Sequence, residues 1–340
     1  MKELLRDNIR SLVPYSTARD DYQGPPLEAL LDANENPFDT DYNRYPDPRQ
    51  KALKQAIAAY KGVLPEQVFV GNGSDEAIDL MYRLFCTPGQ DNVVAIAPTY
   101  GMYAVAAEIN DIAYRSVPLT ADYQLDTAAL LAATDAHTKV LWLCSPNNPT
   151  GNCLREEDIT YILTHFGGIV VIDEAYQDFA AQPSWLTRLD QYPHLVVLQT
   201  FSKAWGLAGL RCGLAFASAE ICAYMDRVKY PYNINALTQQ IVLQQMHDAR
   251  CTMHDEVATI LSERERMCEG LARCPCVKKV YPSDANFLLV EVDDPERRYN
   301  DLLAQGVIVR NRHSVCPHCL RITIGTPEQN TKVIDTLYSH

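Results

Sequence analysis

The 340-residue chain has no run of 18 apolar residues. Its longest apolar stretches, such as Ile169–Ile172 and Leu195–Leu198, are strand-sized, which excludes a helix that crosses a membrane. Positive charge is in deficit: 30 basic against 43 acidic side chains leave a formal net charge of −13. A protein that tracks nucleic-acid phosphates or an anionic membrane surface needs the opposite balance, so neither partner is expected. Met1-Lys2-Glu3-Leu4-Leu5-Arg6-Asp7 holds no apolar stretch of signal-peptide length, which points to the cytoplasm. The histidines form no HExxH or other metal spacing. Cys274-Pro275-Cys276 has a single intervening residue, unlike the knuckles of structural zinc, even with Cys316-Pro317-His318-Cys319 as a second half. No metal is expected. Cysteine itself is plentiful, but eleven is an odd count spread along the chain, which reads as free thiols in a reducing compartment. Internal repeats and low-complexity tracts are also missing. With 47% hydrophobic and 21% charged residues, this is an ordinary globular composition, at a length that suits two domains.

Prolines at 14, 25, 26, 37, 46 and 48 prevent a long helix in the first 48 residues, which read as an irregular arm. Arg49–Tyr60 then places Leu53, Ala56, Ile57 and Tyr60 on one helical stripe. Seven short apolar runs follow: Val68–Val70, Val93–Ala97, Ala113–Val117, Val140–Cys144, Ile169–Ile172, Leu195–Leu198 and Gly213–Ala217. Helical patterns lie among them at 75–86, 101–109 and 155–165, and another follows at 219–228. This alternation predicts an α/β large domain, a mostly parallel seven-stranded sheet covered by helices on both faces. Near residue 235 the texture changes. Ala236–Glu269 carries two long helical patterns broken near residue 250. Short strands are then expected at Val277–Tyr281, Phe287–Val292, Val307–Arg310 and Leu320–Ile324, with helices at Pro295–Ala304 and Glu328–Tyr338. The expected division is an arm over 1–48, a large domain over 49–235 and a smaller α+β domain over 236–340.

Ligands of open α/β sheets sit outside the carboxyl ends of the parallel strands. Four such ends carry chemistry. One run leads into Ser145-Pro146-Asn147-Asn148-Pro149-Thr150-Gly151, another into Asp173-Glu174-Ala175-Tyr176. A third leads into Gln199-Thr200-Phe201-Ser202-Lys203, with Arg211 further on, and a fourth into Gly71-Asn72-Gly73-Ser74-Asp75 at the start of a helix. Taken singly, Asp173 reads as a cap, Lys203 as a solvated charge, and the glycine and asparagine segments as turns. Together they supply an amine, a carboxylate, a phenol, an amide and a helix N-terminus able to hold an anion. Pyridoxal phosphate needs that set: the lysine forms a Schiff base with its aldehyde, and an acid partners the pyridinium nitrogen.

The segments around Asn148, Asp173-Glu174-Ala175-Tyr176 and Ser202-Lys203 with Arg211 resemble the class I/II aminotransferases, which are fold type I pyridoxal phosphate enzymes. Leu31-Asp32-Ala33-Asn34-Glu35-Asn36-Pro37, Arg44-Tyr45-Pro46-Asp47-Pro48, Gly71-Asn72-Gly73-Ser74-Asp75-Glu76 and Cys319-Leu320-Arg321-Ile322-Thr323-Ile324-Gly325 resemble the histidinol-phosphate branch of that family. The resemblance runs from about residue 14 to 326. It implies pyridoxal 5'-phosphate as cofactor and Lys203, Asp173 and Tyr176 as catalytic residues. Lys203 is implied to carry the cofactor and the proton, Asp173 to meet the ring nitrogen, and Tyr176 and Asn148 to bind the 3′-oxygen. Ser74, Asp75, Thr200, Ser202 and Arg211 fall at the phosphate positions, and Tyr100 matches the aromatic against the ring. Tyr45 matches a tyrosine that reaches the neighbour's cofactor, implying a homodimer with shared active sites. Arg321, Arg310, Tyr15 and Asn34 match substrate-binding positions, with Arg312 competing for the place of Arg310. The implied reaction is transamination between histidinol phosphate and 2-oxoglutarate, giving imidazole acetol phosphate and glutamate, in histidine biosynthesis. A phosphothreonine decarboxylase or a broad aromatic aminotransferase shares the scaffold. A non-catalytic effector-binding domain fits the intact lysine, aspartate and tyrosine set less well.

Overall fold

Strands buried on both faces need apolar residues at every position rather than at alternate ones. That pattern is strongest in Ile169–Asp173 (β5), Leu195–Thr200 (β6) and Cys212–Ala217 (β7), where every residue is buried. With Val68–Asn72 (β1), Asn92–Ala97 (β2), Ala113–Pro118 (β3) and Thr138–Cys144 (β4) they form a seven-stranded sheet in the order β1-β7-β6-β5-β4-β2-β3. The computed structural model from which this is read describes residues 2–339 apart from 23, 26 and 249. All seven expected runs are strands of this one sheet. The β2–β3, β2–β4, β4–β5 and β5–β6 pairs are parallel, while β7 runs antiparallel to both β6 and β1. The reversal has a simple cause. Residues 201–211 between β6 and β7 contain only a short helical turn, Ala208–Leu210, too little chain for a helical crossover.

Successive side chains of a strand face opposite sides, and the core divides accordingly. Leu141, Leu143, Val170 and Ile172 join one apolar cluster, whereas Val140, Trp142, Ile169 and Val171 join the other. The first cluster takes in Leu53 and Ile57 of the helix Lys51–Lys61 (α3) and Ile159 and Leu163 of Glu156–His165 (α7). The second takes in residues of Ser74–Phe85 (α4), Met102–Ile109 (α5) and Ala219–Val228 (α8). A short helix that the sequence pattern did not suggest, Thr127–Ala132 (α6), is capped by Asp126, whose carboxylate accepts the Ala129 N–H. In the arm, only short helices form, Asp7–Arg10 (α1) and Ala18–Asp21 (α2).

Beyond residue 235, Ala236–Asp248 (α9) and Arg250–Ala272 (α10) are the two long helices. The expected break between them falls on residue 249, outside the described residues. A four-stranded antiparallel sheet follows in the order β10-β11-β9-β8, made of Val277–Val280 (β8), Phe287–Val292 (β9), Arg310–Asn311 (β10) and Cys319–Thr323 (β11). Pro295–Ala304 (α11) and Pro327–Ser339 (α12) accompany it, and α11 begins with Pro295 behind an Asp294 cap. The strand expected over Val307–Arg310 is corrected to Arg310–Asn311. The chain first has to close off α11: Gly306 takes φ +74°, and the Val307 N–H bonds back to the Leu302 carbonyl. Pairing begins only after that turn. No helix among the described residues is long and apolar enough to cross a membrane.

Candidate active site

The carboxyl ends of β4, β5 and β6 and the β1–α4 turn open on one cavity of about 280 Å³. Ser74, Asp75, Tyr100, Asn148, Asp173, Tyr176, Thr200, Ser202, Lys203, Arg211 and Arg321 all line it. Strand ends next to buried neighbours deliver these side chains, so the parallel order of the sheet itself makes the site.

Asp173 ends β5 and is 2% exposed. Its Oδ1 accepts the Ala175 N–H at 3.0 Å, and its Oδ2 accepts the Tyr103 hydroxyl at 2.7 Å. Burial pushes the Asp173 carboxyl up from its ordinary range, while the Tyr103 and Ala175 hydrogen bonds pull it down. Lys203 follows β6, with its Nζ 5.5 Å from the centre of the Tyr176 ring. The residue as a whole counts as exposed, yet burial of the amine, and then the positive charge of Arg321, push its pKa below the usual lysine range. An amine whose charge is disfavoured is readier to act as a nucleophile. Burial also pushes the Tyr176 phenol up.

Asn148 joins the two sheets. Its Oδ1 accepts from Arg321 of β11 at 2.5 Å, and its Nδ2 stands 3.5 Å from the Tyr176 hydroxyl. The Arg321 guanidinium lies over the Phe287 ring at 5.3 Å, and Phe287 meets Tyr176 edge-on at 5.1 Å. At the other end of the cavity, Gly73 precedes α4 with no capping side chain, leaving the first-turn N–H groups open to an anion. Gly73 has φ +72°, and a Cβ on it would meet the Arg211 guanidinium at 2.6 Å. A Cβ on Gly213 would fall 2.0 Å from the Ser74 nitrogen, so β7 can lie this close to the helix start only as glycine. The Asp75 carboxylate accepts from Tyr100 at 3.1 Å and from Arg211 at 3.4 Å. The Thr200 hydroxyl donates to Ser202 Oγ at 3.0 Å and accepts the Ser202 N–H at 3.1 Å. Pyridoxal phosphate fits this donor set: an anion cradle with two hydroxyls and an arginine, a buried carboxylate, a phenol with an amide, and a lysine amine.

Five sequence candidates lie elsewhere in the chain. Tyr45 stacks on Tyr232, with ring centres 4.4 Å apart, and lines a second cavity of about 550 Å³ together with Asn34. Tyr15 is 72% exposed. Arg310 is exposed, although β10 pairs it directly opposite Arg321. Arg312 is more enclosed: its Nε is buried without a hydrogen-bond partner, and burial and the charge of Arg321 hold its pKa down. The arm around Tyr45 is held by Glu35, whose carboxylate accepts from Arg19 at 2.5 Å, Arg44 at 2.8 Å and the Tyr45 N–H at 2.8 Å. Led by Arg19, those bonds hold Glu35 down to about 2 against the effect of burial.

Two residues escaped sequence reasoning. Tyr103 stands three residues after Tyr100 and just inside α5, and its nearness in sequence to that candidate was the available signal. Glu174 follows Asp173 and points to the opposite face, where it accepts from Ser184 Oγ at 2.5 Å, the Trp185 N–H at 2.7 Å and Gln199 Nε2 at 2.9 Å. Burial pushes its carboxyl up to about 7.

Comparison with known proteins agrees with this geometry. Residues 18–337 match the family model described as aminotransferase class I and II. Over 339 residues the chain is 50% identical to a histidinol-phosphate aminotransferase of Bacteroides thetaiotaomicron, covering 99% of this chain and 98% of that protein. Among solved structures, the histidinol-phosphate aminotransferase from Clostridium acetobutylicum superposes with a TM-score of 0.81 at 23% identity, covering 88% of this chain and 91% of that one. The Sinorhizobium meliloti histidinol-phosphate aminotransferase in complex with pyridoxal-5'-phosphate gives 0.80 at 23% identity, with coverages of 88% and 83%. At these identities the two structures speak for the fold.

Proposed function

The chain belongs to the class I and II aminotransferase family, and on that premise we infer that it is a pyridoxal phosphate-dependent histidinol-phosphate transaminase of histidine biosynthesis. It moves the amino group of histidinol phosphate to 2-oxoglutarate, reversibly, giving imidazole acetol phosphate and glutamate. The observation that carries the reading is the single cavity in which the Lys203 amine, the buried Asp173 and the Arg321 guanidinium meet beside an uncapped helix start.

Bound pyridoxal phosphate supplies a protonated ring that draws electrons from the substrate carbon. Lys203 would hold the cofactor through its amine, and the same amine is placed to take up the proton that leaves the substrate Cα. Its depressed pKa favours the neutral amine needed to accept that proton. Asp173 would meet the ring nitrogen, Tyr176 and Asn148 would take the 3′-oxygen, and Tyr100 would lie against the ring. The Ser74 and Asp75 N–H groups, the Thr200 and Ser202 hydroxyls and Arg211 receive the cofactor phosphate. Arg321 clamps the anionic end of either substrate, since one guanidinium grips a carboxylate bidentately. A phosphate dianion calls for a second cation, and Arg310 and Arg312 are the two within reach of that role. Tyr45, with Tyr15 and Asn34, completes the site of a second subunit, which makes the working unit a homodimer. The arm over 1–48, the cofactor domain over 49–235 and the small domain over 236–340 are the corresponding parts, and the cytoplasm is the compartment that suits the free thiols.

The test is a half-reaction screen of the purified holoenzyme. Histidinol phosphate, aromatic amino acids and phosphothreonine are each followed by cofactor absorbance and product mass. Fast conversion of histidinol phosphate to its ketone is the expected result. Loss of carbon dioxide from phosphothreonine would overturn the reading in favour of a decarboxylase.

A further inference from the structure

The most enclosed polar contact at the site is one that the assigned chemistry does not use. Tyr103 is fully buried and lies flat against Trp142, with ring centres 4.8 Å apart and planes 14° apart. Its backbone carbonyl is held by the Tyr82 hydroxyl at 2.7 Å, and its own hydroxyl donates to Asp173 Oδ2 at 2.7 Å. The ring stack fixes where the phenol points, so the donor cannot swing away from the carboxylate. Desolvation raises the Tyr103 phenol well above its ordinary range, so it remains a donor throughout the working pH range.

We propose that Tyr103 is a positioning residue that sets where the proton shared between Asp173 and the cofactor ring nitrogen resides, holding it on the ring. The inference rests on the reading that Asp173 meets that nitrogen. A hydrogen bond donated to a carboxylate stabilises its anion and lowers its basicity. A less basic Asp173 leaves the proton on the ring nitrogen, and a protonated ring is the stronger electron sink. Burial alone would have the opposite effect, since a desolvated carboxylate competes harder for the proton. The other ionisable groups that influence Asp173 or are influenced by it are Asp75, Tyr100, Cys144, Tyr176 and Lys203. Among these and Tyr103, Tyr103 alone is hydrogen-bonded to the Asp173 carboxylate.

The experiment follows the nitrogen resonance of ring-labelled [15N]pyridoxal phosphate bound to the holoenzyme at one fixed pH and reads, between the protonated and neutral limits, how much of the shared proton resides on the ring. Tyr103→Phe removes one hydroxyl and keeps the ring stack. The ratio of ring-held to Asp173-held proton should fall about tenfold or more, which moves the resonance toward the neutral limit. Replacing Tyr103 with 3-fluorotyrosine keeps the shape and strengthens the donor, so the resonance should move toward the protonated limit, and this variant decides the question if the phenylalanine chain does not fold. In an Asp173→Asn background, Tyr103→Phe should leave the resonance where Asp173→Asn alone puts it. An unchanged resonance in both Tyr103 variants overturns the proposal. If Asp173→Asn itself leaves the resonance unmoved, the reading of Asp173 as the ring partner is what has failed.

Discussion

The rim of the seven-stranded sheet and the proline-rich arm carry equally clear sequence motifs, yet the fold treats them differently. At the rim, candidates from β1, β4, β5 and β6 converge on one cavity with Lys203 beside Tyr176 and Asp173 locked by two hydrogen bonds. In the arm, Tyr45 and Asn34 line a separate cavity and Tyr15 stands in solvent. A strand end is fixed by the strands on either side of it. An arm whose described helices are all short is fixed by side-chain contacts, here the Glu35 cluster and the Tyr45–Tyr232 stack. The rim groups therefore meet within one chain, and the arm residues do not join them there.

The largest effect should come from the rim. On the proposed roles, Lys203→Ala would remove both the covalent anchor and the proton carrier, and turnover should fall by at least about 10⁴-fold. Borohydride reduction of the native holoenzyme followed by digestion should place the pyridoxyl group on Lys203, and labelling of another lysine would end that assignment.

Next in size is the contrast among the three arginines. Arg321→Gln should damage both half-reactions. Arg310→Gln should lower kcat/KM for histidinol phosphate about ten- to hundredfold more than for glutamate, the loss of a charge-assisted hydrogen bond of roughly 1.5–3 kcal/mol. Arg312→Gln belongs beside it, because Arg312 directly follows β10 and its more enclosed guanidinium feels the charge of Arg321. If the selective loss appears there and not at Arg310, Arg312 is the second cation. Equal losses for both substrates in both variants would remove the second-cation idea altogether.

The arm can be tested by complementation. In a dimer that pairs a Tyr45→Phe chain with a Lys203→Ala chain, a shared-site arrangement rebuilds one fully native site. Activity per intact lysine should then exceed that of the Tyr45→Phe homodimer about tenfold, the worth of one hydroxyl contact to a charged group. If Tyr45 serves its own subunit, mixing restores nothing, and a competent monomer at low concentration in light scattering would refute the shared site as well.

The last effect, read in stability and not in turnover, concerns the far side of the rim. The Glu174 carboxyl is pushed up to about 7 by burial, from an ordinary value near 4.5. Between those two pH values the folded chain binds more protons than the unfolded one, so stability declines as pH rises through the window, by about 3 kcal/mol in all. Glu174→Gln should flatten that decline in urea melts at pH 5, 6 and 7. Its amide can donate to the Gln199 Oε1, which is buried without a partner, once the Gln199 amide rotates. A wild-type stability that rises from pH 5 to 7 in parallel with the variant would show that Glu174 is ionised throughout.

Much of this was legible in the residues. Continuous apolar runs and helical stripes produced all seven strands of the large sheet. Motifs at strand ends identified the cavity-lining groups, because backbone direction alone carries them to one edge. The strand at Val307–Arg310 was read too long, since apolar composition cannot show that Gly306 and Val307 are spent on ending α11. Tyr103 and Glu174 were missed for a related reason: each matters through a partner distant in sequence, Asp173 in one case and Gln199 in the other.

By itself, the sequence determined most of the secondary structure, the order of chemistry along the rim and the family, because periodicity and strand-end motifs are local and survive being read one segment at a time. Only the tertiary structure decided that β7 runs against its neighbours, that Asn148 ties Arg321 to the cavity rim of the large sheet, and that a buried phenol sits on the Asp173 carboxylate. Those outcomes depend on which distant surfaces exclude water together, and the free energy of a hydrogen bond or a buried charge is set by that exclusion and not by neighbours in the chain.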